Sequence, residues 1–260
     1  MASNPENLKI SAVIIAFNEA DRLPGALDSL KGSVDEIVVI DGFSSDRTAE
    51  VARAMGAHVF QNEFVDFASQ KNFAMHKAQH DWILNLDADE RLDDDLKASL
   101  AGLKTGGPHA RTSGFSFKRK TFYLGRWVLH SGWYPDKKVR LFKKANAHWQ
   151  GRIHEKLVIT GEVAELRGAI LHYTYRDMAD HFRRINHYTS FQAEEIVRQK
   201  KTWLLARSII LPQTTFLRHY VVKLGFLDGW TGFVIALLSS WATALKYLKA
   251  IELKKQNPAS

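Results

Sequence analysis

Two carboxylates one residue apart, Asp87 and Asp89, close the apolar run Trp82-Ile83-Leu84-Asn85-Leu86. A run this apolar predicts a central strand, and its end then falls at the carboxyl edge of an α/β sheet, where open sheets bind ligands. Acids buried there cost folding energy unless a cation meets them. The natural cation is a divalent ion on a diphosphate, because hard Mg²⁺ or Mn²⁺ prefers carboxylate oxygens plus substrate phosphates to an all-protein cage. By itself the pair says little. Asp-x-Asp arises often by chance, and Asp93-Asp94-Asp95 make the stretch acid-rich, reading as a helix N-terminus where carboxylates suit the helix dipole.

The elements that must position these acids are legible upstream. Residues 10–17 form an apolar, β-branched run closed by Asn18-Glu19-Ala20-Asp21, and Leu23, Leu27 and Leu30 then mark the buried stripe of a helix. Glu36-Ile37-Val38-Val39-Ile40 leads into Asp41-Gly42-Phe43-Ser44-Ser45-Asp46 and a helix through Val51, Ala52 and Met55 that Gly56 can stop. His58-Val59-Phe60, a helix over residues 66–79 and the Trp82 strand continue the alternation. It predicts an α/β fold with a mostly parallel sheet flanked by helices, and it lines up the loops after Phe17, Ile40 and Leu86 along one edge. Neither Gly-x-Gly-x-x-Gly nor a Gly-Lys-Ser/Thr phosphate loop is present, which removes the ordinary Rossmann oxidoreductase and P-loop readings.

In order along the chain stand Phe17-Asn18-Glu19, Val39-Ile40-Asp41-Gly42-Phe43-Ser44-Ser45-Asp46-Arg47-Thr48, Gln70-Lys71-Asn72 and Leu86-Asp87-Ala88-Asp89-Glu90. This set resembles the successive signatures of the family 2 inverting glycosyltransferases with the GT-A fold, over roughly the first 175 positions. The ordered set is far more specific than any one of its members. Gly151-Arg152-Ile153-His154-Glu155, Leu171-His172-Tyr173-Thr174-Tyr175 and a hydrophobic, basic tail are more narrowly similar to the lipopolysaccharide inner-core β-1,4-glucosyltransferases.

The resemblance implies a site. The backbone near Ala16, with Asn18 and the Glu19 side chain, would line the nucleotide pocket, and Asp41 would accept hydrogen bonds from the uracil and ribose end. Lys71 would meet the diphosphate or the base, or else be a solvated helix lysine. Asp46 and Asp66 read as helix caps. Asp87 would face the ribose, or the metal through water, and Asp89 would coordinate a divalent metal, Mg or Mn, that neutralises the leaving diphosphate. His172 sits where many GT-A enzymes bring a late histidine to metal or phosphate, although a histidine between apolar neighbours is also a common core residue. Inverting transfer needs a base for the acceptor hydroxyl. Glu155 fits, on a strand over residues 152–160 whose alternation places Ile153, Glu155 and Leu157 on one apolar face that raises the carboxyl's pKa. The alternative is a plain ion pair of Glu155 with Arg140 or Arg152.

Between the halves, residues 115–142 interleave aromatics with Lys and Arg, which suits sugar rings and phosphates and so an anionic, lipid-linked glycan acceptor. The same pattern can stack RNA bases, but no RNP-like consensus is present and no nucleic-acid partner is expected. The 260 residues are 45% hydrophobic, enough for a sizeable core, and the absence of cysteine excludes disulfides and thiolate chemistry. Residues 1–8 are polar without a signal-like apolar core, so the expected setting is cytoplasmic, at the inner face of the cytoplasmic membrane.

The net charge of +8 is uneven: residues 1–175 carry 23 Lys+Arg against 22 Asp+Glu, and residues 176–260 carry 13 against 6. The expected division is therefore a catalytic GT-A domain over 1–175 and a helical, basic and hydrophobic region over 176–260. In that tail, residues 180–201 read as a charged helix, residues 203–211 and 216–226 as apolar segments broken by Pro212, and residues 232–245 as an apolar run short of the ~20 residues needed to span a bilayer. An amphipathic anchor on anionic lipid follows, with a homo-oligomer interface as the other use of the same faces. The function expected from sequence is metal-dependent transfer of a hexose, glucose from UDP-glucose, onto a lipid-linked core sugar such as heptose. The rivals are a polyprenyl-phosphate acceptor, a sugar nucleotidyltransferase, and a non-catalytic sugar-nucleotide-binding module.

Overall fold

A computed structural model describes residues 8–108, 111–151 and 155–256. Its elements in chain order are β1 (Ile10–Ala16), α1 (Leu23–Leu30), β2 (Glu36–Asp41), α2 (Thr48–Ala54), β3 (His58–Gln61), α3 (Phe67–Lys77), β4 (Trp82–Asn85), β5 (Glu90–Leu92), α4 (Asp94–Gly106), β6 (Thr112–Tyr123) and β7 (Arg126–Val128). These continue into β8 (Asp136–Lys143), β9 (Ala147–Gln150), β10 (Lys156–Ile159), β11 (Glu162–His172), α5 (Met178–Arg198), α6 (Leu204–Leu217) and α7 (Gly229–Gln256). The chain forms two compact units, Met1–Arg119 with Asp136–His172, and Lys120–Pro135 with Tyr173–Ser260. Residues 120–135 thus group with the C-terminal unit instead of with the rest of 1–175.

The first unit has the α/β architecture that the GT-A resemblance implies. Its strands run in the order β3-β2-β1-β4-β8-β6-β11-β5, parallel through β3, β2, β1 and β4 and antiparallel from β4 to β8 and β8 to β6. Alternation along the parallel strands sends consecutive residues to opposite faces. Ile10, Ala12 and Ile14 pack with Leu23, Leu27 and Leu30, whereas Val13 packs with Ile40, Ile83 and Met75. With both faces covered, the strands read as near-continuous apolar runs. Register then sets the site: Ala16 lies opposite Asp41 and Val13 opposite Asn85, so the loops after β1, β2 and β4 leave one edge together.

Local signals behave as their chemistry dictates. Asp66 caps α3 by accepting from Ser69 N at 2.8 Å, and Asp93 caps α4 by accepting from Leu96 N at 2.9 Å, with Asp94 and Asp95 in the first turn. Asp93 also accepts from Ala169 N on β11, and at Gly168 (φ +105°) an added Cβ would lie 2.3 Å from Leu96 N, so the strand passes directly over the helix start.

In the second unit, β7 pairs with the end of β6, and Tyr123 and Val128 of that hairpin pack with Val234, Ile235 and Leu238 of α7. Two tail expectations are corrected here. Pro212 does not break the chain into two segments. It sits inside α6, which runs on to Leu217 and a π-helical turn over Arg218–Val222. Nor is the apolar run of residues 232–245 an isolated short segment. It lies within the 28-residue α7, and Gly225–Gln256 is long and apolar enough to cross a membrane by length and composition. Lys246 does not end the segment, because a helix's length is set by its backbone hydrogen bonds, which continue past one charge.

Candidate active site

The loop after β1 is laced to the loop after β2. Asn18, in the left-handed region at φ +54° that asparagine tolerates better than most residues, accepts through Oδ1 from Ser45 N (2.9 Å) and Asp46 N (3.3 Å), while its own N donates to Ser44 Oγ. Glu19 N donates to Thr48 Oγ1, and Ala16 O accepts from Gly42 N, both at 2.9 Å. Asp46 accepts from Ala20 N and Thr48 N, joining the two loops besides steadying the start of α2. Asp41 is fully buried and accepts from Ser44 N and Gln61 Nε2. Its carboxylate is thus shielded from solvent and tied to the loop after β2 and to β3.

At the end of β4 the acids meet fixed cations. Asp87 Oδ2 accepts from Arg140 Nη2 at 2.6 Å, and Arg140 also reaches the fully buried Glu90 at 2.7 Å, which Arg119 contacts at 3.2 Å. Burial pushes the Asp87 carboxyl up, but the Arg140 guanidinium and the Lys71 ammonium outweigh it and hold the group well below the usual carboxylate range. Burial disfavours the Arg140 charge in turn, and Asp87 and Glu90 overcome it, so the guanidinium titrates higher than usual.

Lys71 is not a solvated helix lysine. It is buried on α3 with its ammonium 4.5 Å from the Trp149 ring centroid, and it pairs with Glu155 at 2.9 Å and Asp87 at 3.7 Å. The expected setting of Glu155 is corrected. It precedes β10 instead of lying within it, and it faces an ammonium instead of an apolar face, because the helix bearing Lys71 passes beside it. Arg140, the partner weighed for Glu155, is committed to Asp87 and Glu90. The other partner, Arg152, and the strand residues Ile153 and His154 lie outside the described residues.

Asp89 and His172 come together across 83 positions of sequence, Oδ2 to Nε2 at 3.5 Å, with Arg22 Nη1 3.4 Å from the same oxygen. A carboxylate and an imidazole are donor types that a divalent ion completing its shell from phosphate and water would take, and in this geometry Arg22 holds the same carboxylate oxygen. Among the described residues no third His, Asp or Glu joins them. The ring's Nδ1 is buried and finds no partner among those residues, so nothing described locks its tautomer.

A cavity of about 480 Å³ is lined by Asp87, Glu155, Lys71, Arg119, Arg140, Trp149 and residues of β8 and β10. Arg140, Glu90, Arg119 and Trp149 were missed as site residues. A usable signal existed for Arg140, since an arginine inside Val139-Arg140-Leu141-Phe142 must find a buried acid or be expelled.

Residues 11–155 match the family described as Glycosyl transferase family 2. A Rickettsia prowazekii protein described as an uncharacterized glycosyltransferase is 30% identical over 264 residues, covering 96% of this chain and 89% of the relative. The lipopolysaccharide core biosynthesis glycosyltransferase LpsC of Rhizobium meliloti is 28% identical over 248 residues, covering 90% of this chain and 91% of that protein. A crystal structure of S. aureus TarS 1-349 in complex with UDP is similar at 15% identity, with a TM-score of 0.47 over 96% of this chain and 92% of that one.

Proposed function

This chain belongs to glycosyl transferase family 2, and on that footing we infer that it is an inverting hexosyltransferase using UDP-glucose and a lipid-linked core sugar such as a heptose of lipopolysaccharide. One observation carries the reading: Lys71 holds Glu155 and Asp87 within 2.9 and 3.7 Å of its ammonium on one cavity, beyond the carboxyl end of β4. The description of the Rhizobium meliloti relative supports the acceptor class.

Glu155 takes the proton of the acceptor hydroxyl as its oxygen bonds to the anomeric carbon and the bond from that carbon to the diphosphate oxygen breaks on the opposite face, inverting the centre. Lys71 and Arg140 present fixed positive charge to the anion that departs. Asp89 and His172 would hold Mg²⁺ or Mn²⁺, whose chemistry when bound is neutralisation of the leaving diphosphate. Ala16, Asn18 and Glu19 shape the base end, with Asp41 beneath them.

The tail suits a membrane surface at the cytoplasmic face. Trp230, Leu237, Trp241 and Leu248 recur at helical spacing and are about half exposed or more along α7, whose other residues Val234, Ile235, Leu238 and Tyr247 are buried in its own unit. Leu205, Ile209, Ile210 and Leu217 are exposed on α6, with Arg207 between them and Arg218 next after Leu217. A helix packed along one side and bearing tryptophans on the other is better matched to lying on lipid than to crossing it.

The test is a hydrolysis panel of nucleotide sugars with and without Mn²⁺. Release of UDP from UDP-glucose above that from other donors supports the assignment. Turnover of none leaves only a binding module.

A further inference from the structure

The cavity beside Glu155 is walled by cations out of proportion to its acids. Lys71, Arg119, Lys137, Lys138, Arg140 and Lys156 line it, against Asp87 and Glu155. Several are held from behind, Arg119 by Asp136 and Glu90, Lys138 by Asp136, and Lys137 by Glu165, which keeps their charged ends in place at the wall. The wall also has donors in surplus, since the buried Arg140 Nε and Trp149 Nε1 find no acceptor among the described residues. The lining holds six cations and two acids around about 480 Å³, and even with Glu90, Asp136 and Glu165 paired to them the cations stay in excess by one, while buried donors without acceptors cost stability. A fold retains such a wall where an anion relieves it.

The donor's diphosphate does not account for all of this charge. Ala16, Asn18, Glu19 and Asp41 at the base end, and Asp89 and His172 at the diphosphate end, are absent from the lining, whereas Glu155 and the neighbouring Lys156 and Leu157 belong to it. Lys137 and Lys138 lie on β8 and line the same cavity as Glu155.

We propose that the cavity is an anion subsite for the acceptor: the sugar whose hydroxyl Glu155 deprotonates carries a phosphate or carboxylate, bound by Lys137, Lys138, Lys156 and Arg119. The assignment rests on the transferase reading and adds the acceptor's charge and its location. Arg119, whose Nε and Nη2 donate to Asp136 and whose Nη1 donates to Glu90, adds a fixed charge to the wall, while the lysines act as point charges whose contribution falls with salt.

The experiment is calorimetric titration of the full chain, saturated with UDP, using glucose, glucose 6-phosphate and glucuronate as probes. The two charged sugars are expected to bind at least about tenfold more tightly than glucose, with an advantage that shrinks as sodium chloride rises. Lys137→Glu/Lys138→Glu should weaken glucose 6-phosphate by about tenfold or more and leave UDP affinity within about twofold. Lys137→Gln/Lys138→Gln, confirmed folded by circular dichroism, stands in if the charge reversal fails to fold. Equal binding of the three sugars, or binding of none, overturns the proposal, and so does an equal loss of UDP affinity, which gives these cations to the donor diphosphate. Charged-sugar binding in a chain that turns over no nucleotide sugar would keep the anion site and remove the transferase reading. Donor turnover without a charge preference would do the reverse.

Discussion

Lys71 and Glu155, 84 residues apart in sequence, meet at 2.9 Å, and the lysine that makes this contact is almost wholly buried against Trp149. The pair ties the middle of the α/β unit to the residue argued to be the base, and Asp87 shares the same ammonium at 3.7 Å. Glu155→Gln keeps the shape and removes the proton acceptor. Turnover is expected to fall by ~10²–10⁴ with UDP-glucose affinity unchanged. A normal rate with weakened donor binding would make Glu155 a structural residue.

Asp89→Ala should abolish metal-supported transfer and leave the fold intact, because Asp89 stands at the sheet edge and contacts Arg22 and His172 there. Binding of Mn²⁺ followed by electron paramagnetic resonance should weaken in this variant and in His172→Ala, and circular dichroism should match the parent chain. Full activity of Asp89→Ala in the presence of Mn²⁺ would sink the metal assignment.

Arg140 is the counterion of two acids, one of them fully buried. Arg140→Met leaves Glu90 facing only Arg119 and should cost about 3 kcal/mol in urea unfolding. Arg140→Met/Glu90→Gln should recover part of that loss, since removing both charges is cheaper than stranding one. The acid limb follows with its sign. Asp87 has its folded value held below that of the unfolded chain, so its contribution is complete above the ordinary carboxylate range of about 4 and is lost only as pH falls well below it. Asp87→Asn should remove that part of the acid transition. An unchanged acid limb would contradict the assignment.

His181 makes the opposite kind of group titrate in the second unit. It is buried, its Nδ1 lies 2.6 Å from Tyr123 Oη, and it stacks on Tyr175 at 3.9 Å. Burial, helped by Arg184, pushes its pKa down to about 4. The unfolded chain binds the proton near pH 6.5 and the folded one does not until about 4. The contribution is therefore full above pH 6.5 and is lost as pH falls from there to 4, with a magnitude on the order of 2 kcal/mol. His181→Gln should flatten stability against pH across that window, as measured by urea melts. The same slope in the variant would assign it to another group.

The tail's exposed apolar faces and their arginines predict binding to vesicles that contain anionic lipid, weakening with salt by ~1 kcal/mol for each basic residue lost near the surface. Sedimentation of the full chain with anionic and with neutral vesicles measures this. Trp230→Ser/Trp241→Ser should release the protein without altering UDP binding. If anionic vesicles are ignored and the double variant turns an oligomer into monomers, the faces serve assembly.

The parallel half of the sheet and the stripe of α1 were legible because strand and helix periods are local properties of the chain: Ile10 to Ala16 had to be buried on both faces, and Leu23, Leu27 and Leu30 on one. The cap Asp66 and the acidic helix start at Asp93 were legible for the same reason, as each bonds a backbone N–H three residues on. The pairing of charges was not. Whether Glu155 meets Arg140 or Lys71, and whether Asp41 faces a ligand or the interior, depends on contacts between residues tens of positions apart, and one sequence contains no term for them. Pro212 shows the same limit from the other side, since local propensity ends a helix there, yet Ser240 of α7 donates to the Pro212 carbonyl at 2.9 Å and α6 continues. Propensity is worth a few kcal/mol at one position, and packing of α6 against α7 along its length outweighs it.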